Sequence, residues 1–480
     1  MTSPSQRARE RFDHPVIDAD GHVLEYPPAL LPFLRESLGQ PLFDRYLDGM
    51  SPHGQIMQAG RAEDRRRTRT PQSAWWGTPA RNTRDLATAA LPRLMYERLD
   101  ELGIDFTVLF GTKAFGAAAP ADGDLRRGLC RGLNAYYAET YAAYSDRMTV
   151  AGVIPMHDPG EALDELEHCR SLGLKVAAFP EGVLRPIPEP ADGHGSPFLL
   201  PGQAHWFDTF GLDSACDYDP VWSACERLGF AAVCHGGLGC ISPYRFTSIS
   251  NYSYNHIGSF ADSMHRLVKS LFLGGVTRRF PRLNFAVLEC GVGWAAILLA
   301  DLIEHWKKRG PEGLRNLDPA GIDWNELEKL VREYGGGLFE TGGDLRGGLR
   351  ELPGIGLAPE ELDDWRRVGV ESEADIVERF APRFYFGCEA DDRTLAFAFA
   401  PGNPLGARLR PVFSSDLSHW DVPEMDAVVA EAYELVEREV LSERDFREFV
   451  CRNPARLFLD QNPAFFEGTL LEGRDLADGD

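Results

Sequence analysis

No two of the nine cysteines stand three apart, so the chain has no Cys-x-x-Cys pair. That argues against a four-cysteine zinc site. The odd count and the apolar neighbours of most of them point to reduced, buried thiols and a cytoplasmic setting. Long apolar runs are also missing. The best candidate, Val292 to Ile303, contains Trp294 and Asp301 and falls short of the ~18 residues a membrane span needs. No basic start leads into an apolar segment at the N-terminus, so no signal peptide is expected. Basic residues are outnumbered, 50 Lys and Arg against 73 Asp and Glu, for a net charge of −23. Such a surface disfavours nucleic acid and anionic membranes as partners. There is no internal repeat, no low-complexity tract, and no Gly-x-Gly-x-x-Gly turn after the first apolar strand.

What remains is a globular composition, 44% hydrophobic and 26% charged over 480 residues, enough for one large domain with insertions. A helix, a glycine and a short apolar strand recur along it. Leu86 to Leu102 has helical apolar spacing and Gly103 closes it; Phe106 to Phe110 then reads as a strand. Helices over 125–144, 161–172, 220–228 and 259–273 alternate with strands over 148–155, 176–179, 230–234 and 285–288. A helix from Gly293 and strands at 384–388 and 412–413 follow. With Val16 and Ile17 this makes about eight strands. Apolar strands alternating with amphipathic helices are parallel and buried on both faces. Eight of them predict an α/β fold, a (β/α)8 TIM barrel. The expected single domain covers 15–465, with insertions at about 26–84, 186–213 and 314–378. Flexible tails are expected at 1–14 and 466–480. The insertion after the first strand, which carries Trp75 and Trp76, either caps the pocket or packs outside.

In such a barrel the site lies at the C-terminal strand ends. The first strand runs into Asp18, Asp20, Gly21 and His22. Asp20 and His22 are two apart, so on an extended chain they point the same way and can grip a divalent metal. Alone, Asp-x-His also fits a polar turn. The fifth strand ends in His235, the sixth in Glu289, the seventh in Glu389, and the eighth in Asp416 followed by His419. That many ionisable groups at one mouth are costly to desolvate without a cation.

The pieces Ile-Asp-Ala-Asp-Gly-His at 17–22, Cys-His-Gly-Gly at 234–237, the run 279–294, Ser-Asp-Leu-Ser-His-Trp-Asp at 415–421 and Asn-Pro-Ala-Arg-Leu-Phe at 453–458 occur in one order. In them the chain resembles the amidohydrolase superfamily, in the branch of aminocarboxymuconate semialdehyde decarboxylase. Two departures stand out: Asp20 where members often carry a histidine, and Glu289 where decarboxylases often show one. The resemblance implies one divalent metal, zinc first and manganese second, held by Asp20, His22, His235 and Asp416. Asp416, Glu289 and His235 would be catalytic, with Glu289 off the metal. Glu389, His419, His256 and Arg245 would stand behind them or contact substrate. A hydrolase of C–N or C–O bonds in a small molecule is the leading expectation. A non-oxidative decarboxylase is the alternative, and a metal-binding barrel without catalysis the minor one. A homodimer is expected.

Overall fold

A computed structural model describes residues 2–48, 62–72, 79, 81–114, 116–187, 204–236, 247–338 and 362–476. Eight parallel strand positions follow the chain: β1 (Ile17–Val23), β2 (Phe106–Gly111), β3 in two pieces (Met148–Val150 and Gly152–Val153), β4 (Ala177–Pro180), β5 (Ala232–His235), β6 (Phe285–Val287), β7 (Phe384–Cys388) and β8 (Arg410–Phe413). Each pairs with the next in chain order. Around the break in β3, the Ala151 N–H donates to Leu109 O and the Gly152 N–H to Val176 O, so the ladder continues. Just past β8, the Asp416 N–H donates to Asp20 O and the His22 N–H to Leu417 O, joining the last strand to the first. This is the expected α/β barrel of parallel strands with helices outside. Strands from β1 to β8 are buried along nearly their whole length, as a double-sided cover requires.

The helices follow the chemistry of their ends. Gly229 closes Asp219–Leu228 at φ 76°, and Gly103 closes Pro92–Leu102 at φ 77°. The helix expected over 86–102 is two, Thr83–Ala90 and Pro92–Leu102. Pro92 lacks an N–H and starts the second one.

Two expectations need correction. The ends are not loose. Pro4–Arg9 is a helix whose Ser3 and Gln6 form a reciprocal capping box, and the Val429 N–H donates to Ser5 Oγ at 3.1 Å. At the other end Phe466, Leu471 and Leu476 are buried; residues 477–480 lie outside the described set. The insertion expected at about 186–213 also begins and ends in regular structure. Val183–Pro186 and His205–Asp208 form an antiparallel hairpin, clamped by an ion pair of Arg185 with buried Asp208.

The insertion after β1 packs in two different places. Its first part, Pro27–Leu47, packs outside: a Cβ on Gly128 of helix Gly123–Tyr141 would meet Leu38 at 2.4 Å. Its later part reaches the loop after β5, where the Gln72 N–H donates to Ser248 O at 2.8 Å. Trp75 and Trp76 lie outside the described residues. Cysteines behave as expected: all those described are free, and all but Cys216 are buried.

β1 carries one irregularity, and it matters. Its register with β2 shifts between Asp18 and Gly21, an extra-residue bulge of the kind that re-aims side chains. A Cβ on Gly21 would stand 2.7 Å from Asp18 Oδ2 and 2.9 Å from Thr107 Oγ1. Gly21→Ala is therefore expected to destabilise the fold by about 1–3 kcal/mol through overpacking. Denaturant melts of the two proteins check this.

Candidate metal centre

The bulge sets Asp20 and His22 side by side at the mouth. His22 Nε2 stands 3.5 Å from Asp20 Oδ1, and both side chains are 0% exposed. His235 ends β5 and is equally buried. Its Nδ1 lies 2.8 Å from Gly236 O. A carbonyl only accepts, so Nδ1 carries the proton and Nε2 is left to face the cluster. That Nε2 is 3.5 Å from Asp20 Oδ1.

Glu289 and Asp416 come in from β6 and β8 on strained backbone, at φ 53° and φ 50°. A left-handed non-glycine residue costs of order 1–3 kcal/mol and persists where its surroundings over-determine it. Here the N–H groups of Cys290 and Gly291 both donate to Gly387 O, and the Asp416 N–H is held by Asp20 O. Glu289 Oε1 lies 3.3 Å from His22 Nε2 and 3.7 Å from His235 Nε2. Asp416 Oδ1 lies 3.2 Å from His22 Nε2 and 2.6 Å from His419 Nδ1. The His419 ring stacks on His22 with centroids 3.6 Å apart.

Two groups of potential metal donors result, and His22 belongs to both. One is Asp20, His22 and His235; the other is His22, Glu289, Asp416 and His419. Both Asp20 side-chain oxygens are buried and have no hydrogen-bond partner among the described residues, and the buried Asp416 Oδ1 faces the imidazole nitrogens of His22 and His419. Buried carboxylate oxygens in that condition are costly. A cation is the group that resolves the cost, and the mixed oxygen and nitrogen donors suit zinc or manganese.

Without a cation the cluster pulls its own titrations apart. Burial, and then the neighbouring His419, push His22 down to about 4. Burial works the same way on His235, but the charges of Glu289 and Asp20 outweigh it and raise the imidazole to about 9. Asp416 is driven well above the carboxylate range by burial, with Glu289 and Asp421 adding repulsion. Glu289 is buried too, yet His235, His22 and His419 hold it well below that range.

One buried acid braces the arrangement. Asp18 accepts hydrogen bonds from Ser415 N (2.9 Å), Ser415 Oγ (2.7 Å), Thr107 Oγ1 (2.7 Å) and Asp20 N (3.1 Å). Burial still raises its carboxyl to about 6. It ties β1, β2 and the segment after β8 together directly below the cluster. Asp18→Ala would orphan several buried donors at ~1–3 kcal/mol each. We expect a lower melting temperature and weaker metal binding in the same variant, measured by calorimetry and metal titration.

Residues 17–336 match the family model described as amidohydrolase. The chain belongs to the amidohydrolase family. Among solved structures, an amidohydrolase from Mycobacterium avium subsp. paratuberculosis K-10 is similar at 15% identity and a TM-score of 0.52, covering 93% of this chain and 100% of the other. A dihydroxybenzoic acid decarboxylase from Polaromonas sp. JS666, solved with manganese and 2-nitroresorcinol, is similar at 16% identity and a TM-score of 0.49, covering 93% and 97%. A 2,6-dihydroxybenzoate decarboxylase from Rhizobium gives 16%, 0.47, 93% and 99%. At these identities the likeness is one of fold. No curated protein matches the chain.

This amidohydrolase differs at several positions from the sequence expectation. His419, expected behind the metal ligands or against substrate, stands in the cluster with Nδ1 2.6 Å from Asp416 Oδ1. Glu389 is exposed and joins neither donor group among the described residues. His256 is half-buried in an aromatic wall beside the cluster, stacked on Tyr252 at 5.3 Å and edge-on to Trp420 at 5.4 Å. Arg245 lies outside the described residues. Glu181 went unread in the sequence. It is fully buried one residue beyond Pro180, the β4 partner of His235. Its signal was Phe-Pro-Glu-Gly at a strand exit, which reads equally well as a turn. Among the described residues no helix is long and apolar enough to cross a membrane.

Proposed function

We propose that this amidohydrolase uses one divalent metal to hydrolyse a C–N or C–O bond in a small organic molecule. The observation that carries the reading is the buried meeting of Asp20 Oδ1 with the Nε2 atoms of His22 and His235, each 3.5 Å away, while neither carboxylate oxygen of Asp20 has a hydrogen-bond partner among the described residues. These three side chains would hold the ion, with Asp416 on its remaining side. A metal there supplies a water whose pKa falls toward ~7 and polarises a substrate oxygen.

The chain's own groups do the rest. Asp416 takes a proton from the attacking water and returns it to the leaving group. His419 Nδ1, 2.6 Å from Asp416 Oδ1, fixes the orientation of that carboxyl. Asp18 holds the β8 exit through Ser415, so the carboxyl stays at the mouth. Tyr252, His256 and Trp420 form one wall beside the Asp416–His419 segment.

The charge at the mouth favours a neutral substrate. Glu289 and Asp421 both oppose the ionisation of Asp416, and the same charges would oppose an incoming carboxylate. Arg393 is exposed. The test is a panel of amides, esters and lactones assayed on zinc- and manganese-loaded protein, beside small carboxylic acids assayed for CO2 release. Metal-dependent hydrolysis is the expected result. CO2 release without hydrolysis would replace this reading with decarboxylation.

A further inference from the structure

We propose that a cavity on the N-terminal face of the barrel, away from the metal cluster, binds a small aromatic carboxylate or phosphate ester, with Arg447 as its anchor.

The cavity holds about 610 Å³, within the roughly 300–1,000 Å³ of small-molecule sites. Phe12 and His14, which lead into β1, form one side of it. Phe446, Arg447 and Arg452, which follow β8, form the other. The metal cluster lies at the opposite end of the strands. His14 is eight residues before His22, roughly 25 Å of extended chain.

The lining is aromatic and basic where it is deep. Phe12 stacks on His14 at 4.7 Å and on Tyr433 at 5.4 Å, and Phe446 meets Phe12 edge-on at 5.2 Å. Such a surface takes the face or edge of a ring. His14 and Arg452 are buried, and Arg447 is half-buried. Arg447 Nε is enclosed and has no hydrogen-bond partner among the described residues. An enclosed N–H in that condition is costly, and an anionic acceptor relieves the cost. Burial, and beyond it the charge of Arg447, hold His14 below its usual pKa, so the positive charge of the lining comes from arginine. The acids of the lining, Glu10, Asp13 and Glu443, are exposed at its rim. A planar guanidinium matches the paired oxygens of a carboxylate or phosphate.

The backbone sets this up. Glu448–Arg452 is a π-helical turn, closed by the Asn453 N–H donating to Glu448 O five residues back. At 3.6 residues per turn Arg447 and Arg452 would diverge by about 140°. The wider turn brings residues five apart to one side, and both arginines line the cavity. Single π turns are rare and gather at functional sites. Glu448 binds Arg452 at 3.1 Å and Arg456 at 2.6 Å, so its carboxylate is satisfied without Arg447.

The experiment is a calorimetric titration of the full-length protein, metal-loaded and again after metal removal. The probes are benzoate, phenyl phosphate, inorganic phosphate and benzyl alcohol. At least one aromatic anion is expected to bind saturably in both forms, more tightly than inorganic phosphate, and benzyl alcohol is expected not to bind. The tighter of benzoate and phenyl phosphate names the acid group the site takes. Arg447→Met keeps the bulk and removes the charge. It is expected to lose more than ~10-fold in affinity, with circular dichroism and metal content unchanged. If that variant does not fold, Arg447→Lys decides the matter, because it keeps the charge without the fork and should bind more weakly than the parent. Affinity equal to the parent's in a folded Arg447→Met, or in Arg447→Lys where the Met variant does not fold, overturns the inference. So does the absence of saturable binding by either aromatic anion. Binding that disappears with the metal would place the anion at the mouth and overturn it as well.

Discussion

Asp416→Asn is expected to cut turnover by about 10²–10⁴-fold, the usual worth of a positioned acid or base. Asn keeps the shape and some hydrogen bonding of Asp, but it cannot take up and release a proton. The wild-type carboxyl is set up for that task. His419 Nδ1 lies 2.6 Å from Oδ1. The measurement is kcat at saturating metal, so that weaker metal binding does not enter the comparison. The pH profile should also lose the limb that Asp416 governs. A kcat within a few-fold of the parent, with the pH profile intact, would place proton transfer on another residue.

His22→Ala is expected to remove nearly all bound metal and bring turnover to background. His22 is the residue common to both donor groups. Its Nε2 faces Asp20, Glu289 and Asp416 at 3.5, 3.3 and 3.2 Å. Its loss also leaves those carboxylates repelling one another with one fewer counter-group. Affinity should fall by more than the ~100-fold reached by outer-shell changes. Elemental analysis after gel filtration reads the content directly. Adding His235→Ala should abolish what is left, and full occupancy in that double variant would show that the ligands are elsewhere.

The barrel could be read from the sequence because its signals are local. Apolar strands such as Phe384–Cys388 and helix stops such as Gly103 and Gly229 are written within a few residues. The site could be read in part for a related reason. Asp20, His22, His235, Glu289 and Asp416 each follow an apolar run, and the barrel geometry sends strand ends to one mouth. Distances between them were another matter. Nothing in the sequence says that Glu289 would adopt a left-handed φ and approach both imidazoles, or that His419 would stack on His22 at 3.6 Å. Asp18 looked like one more strand residue, and three of its four hydrogen bonds depend on partners some 90 and 400 residues away: Thr107 at |i−j| = 89 and Ser415 at |i−j| = 397. The N-terminal helix is different. Its Ser-x-x-Gln cap was present at Ser3 and Gln6 and outweighs the polar composition of that end. The hairpin after β4 depends on the Arg185–Asp208 ion pair between strands that loop residues separate, and composition alone reads those residues as a turn.

The central claim is that the buried cluster at the mouth binds one catalytic divalent ion. X-ray absorption on the zinc-loaded protein tests it most directly. The account predicts a single zinc site with two imidazole nitrogens and two or three oxygens at about 2.0–2.2 Å. The imidazole signal should disappear in the His22→Ala, His235→Ala double variant. A shell with sulfur at about 2.3 Å, or an imidazole signal that survives the double variant, would contradict it.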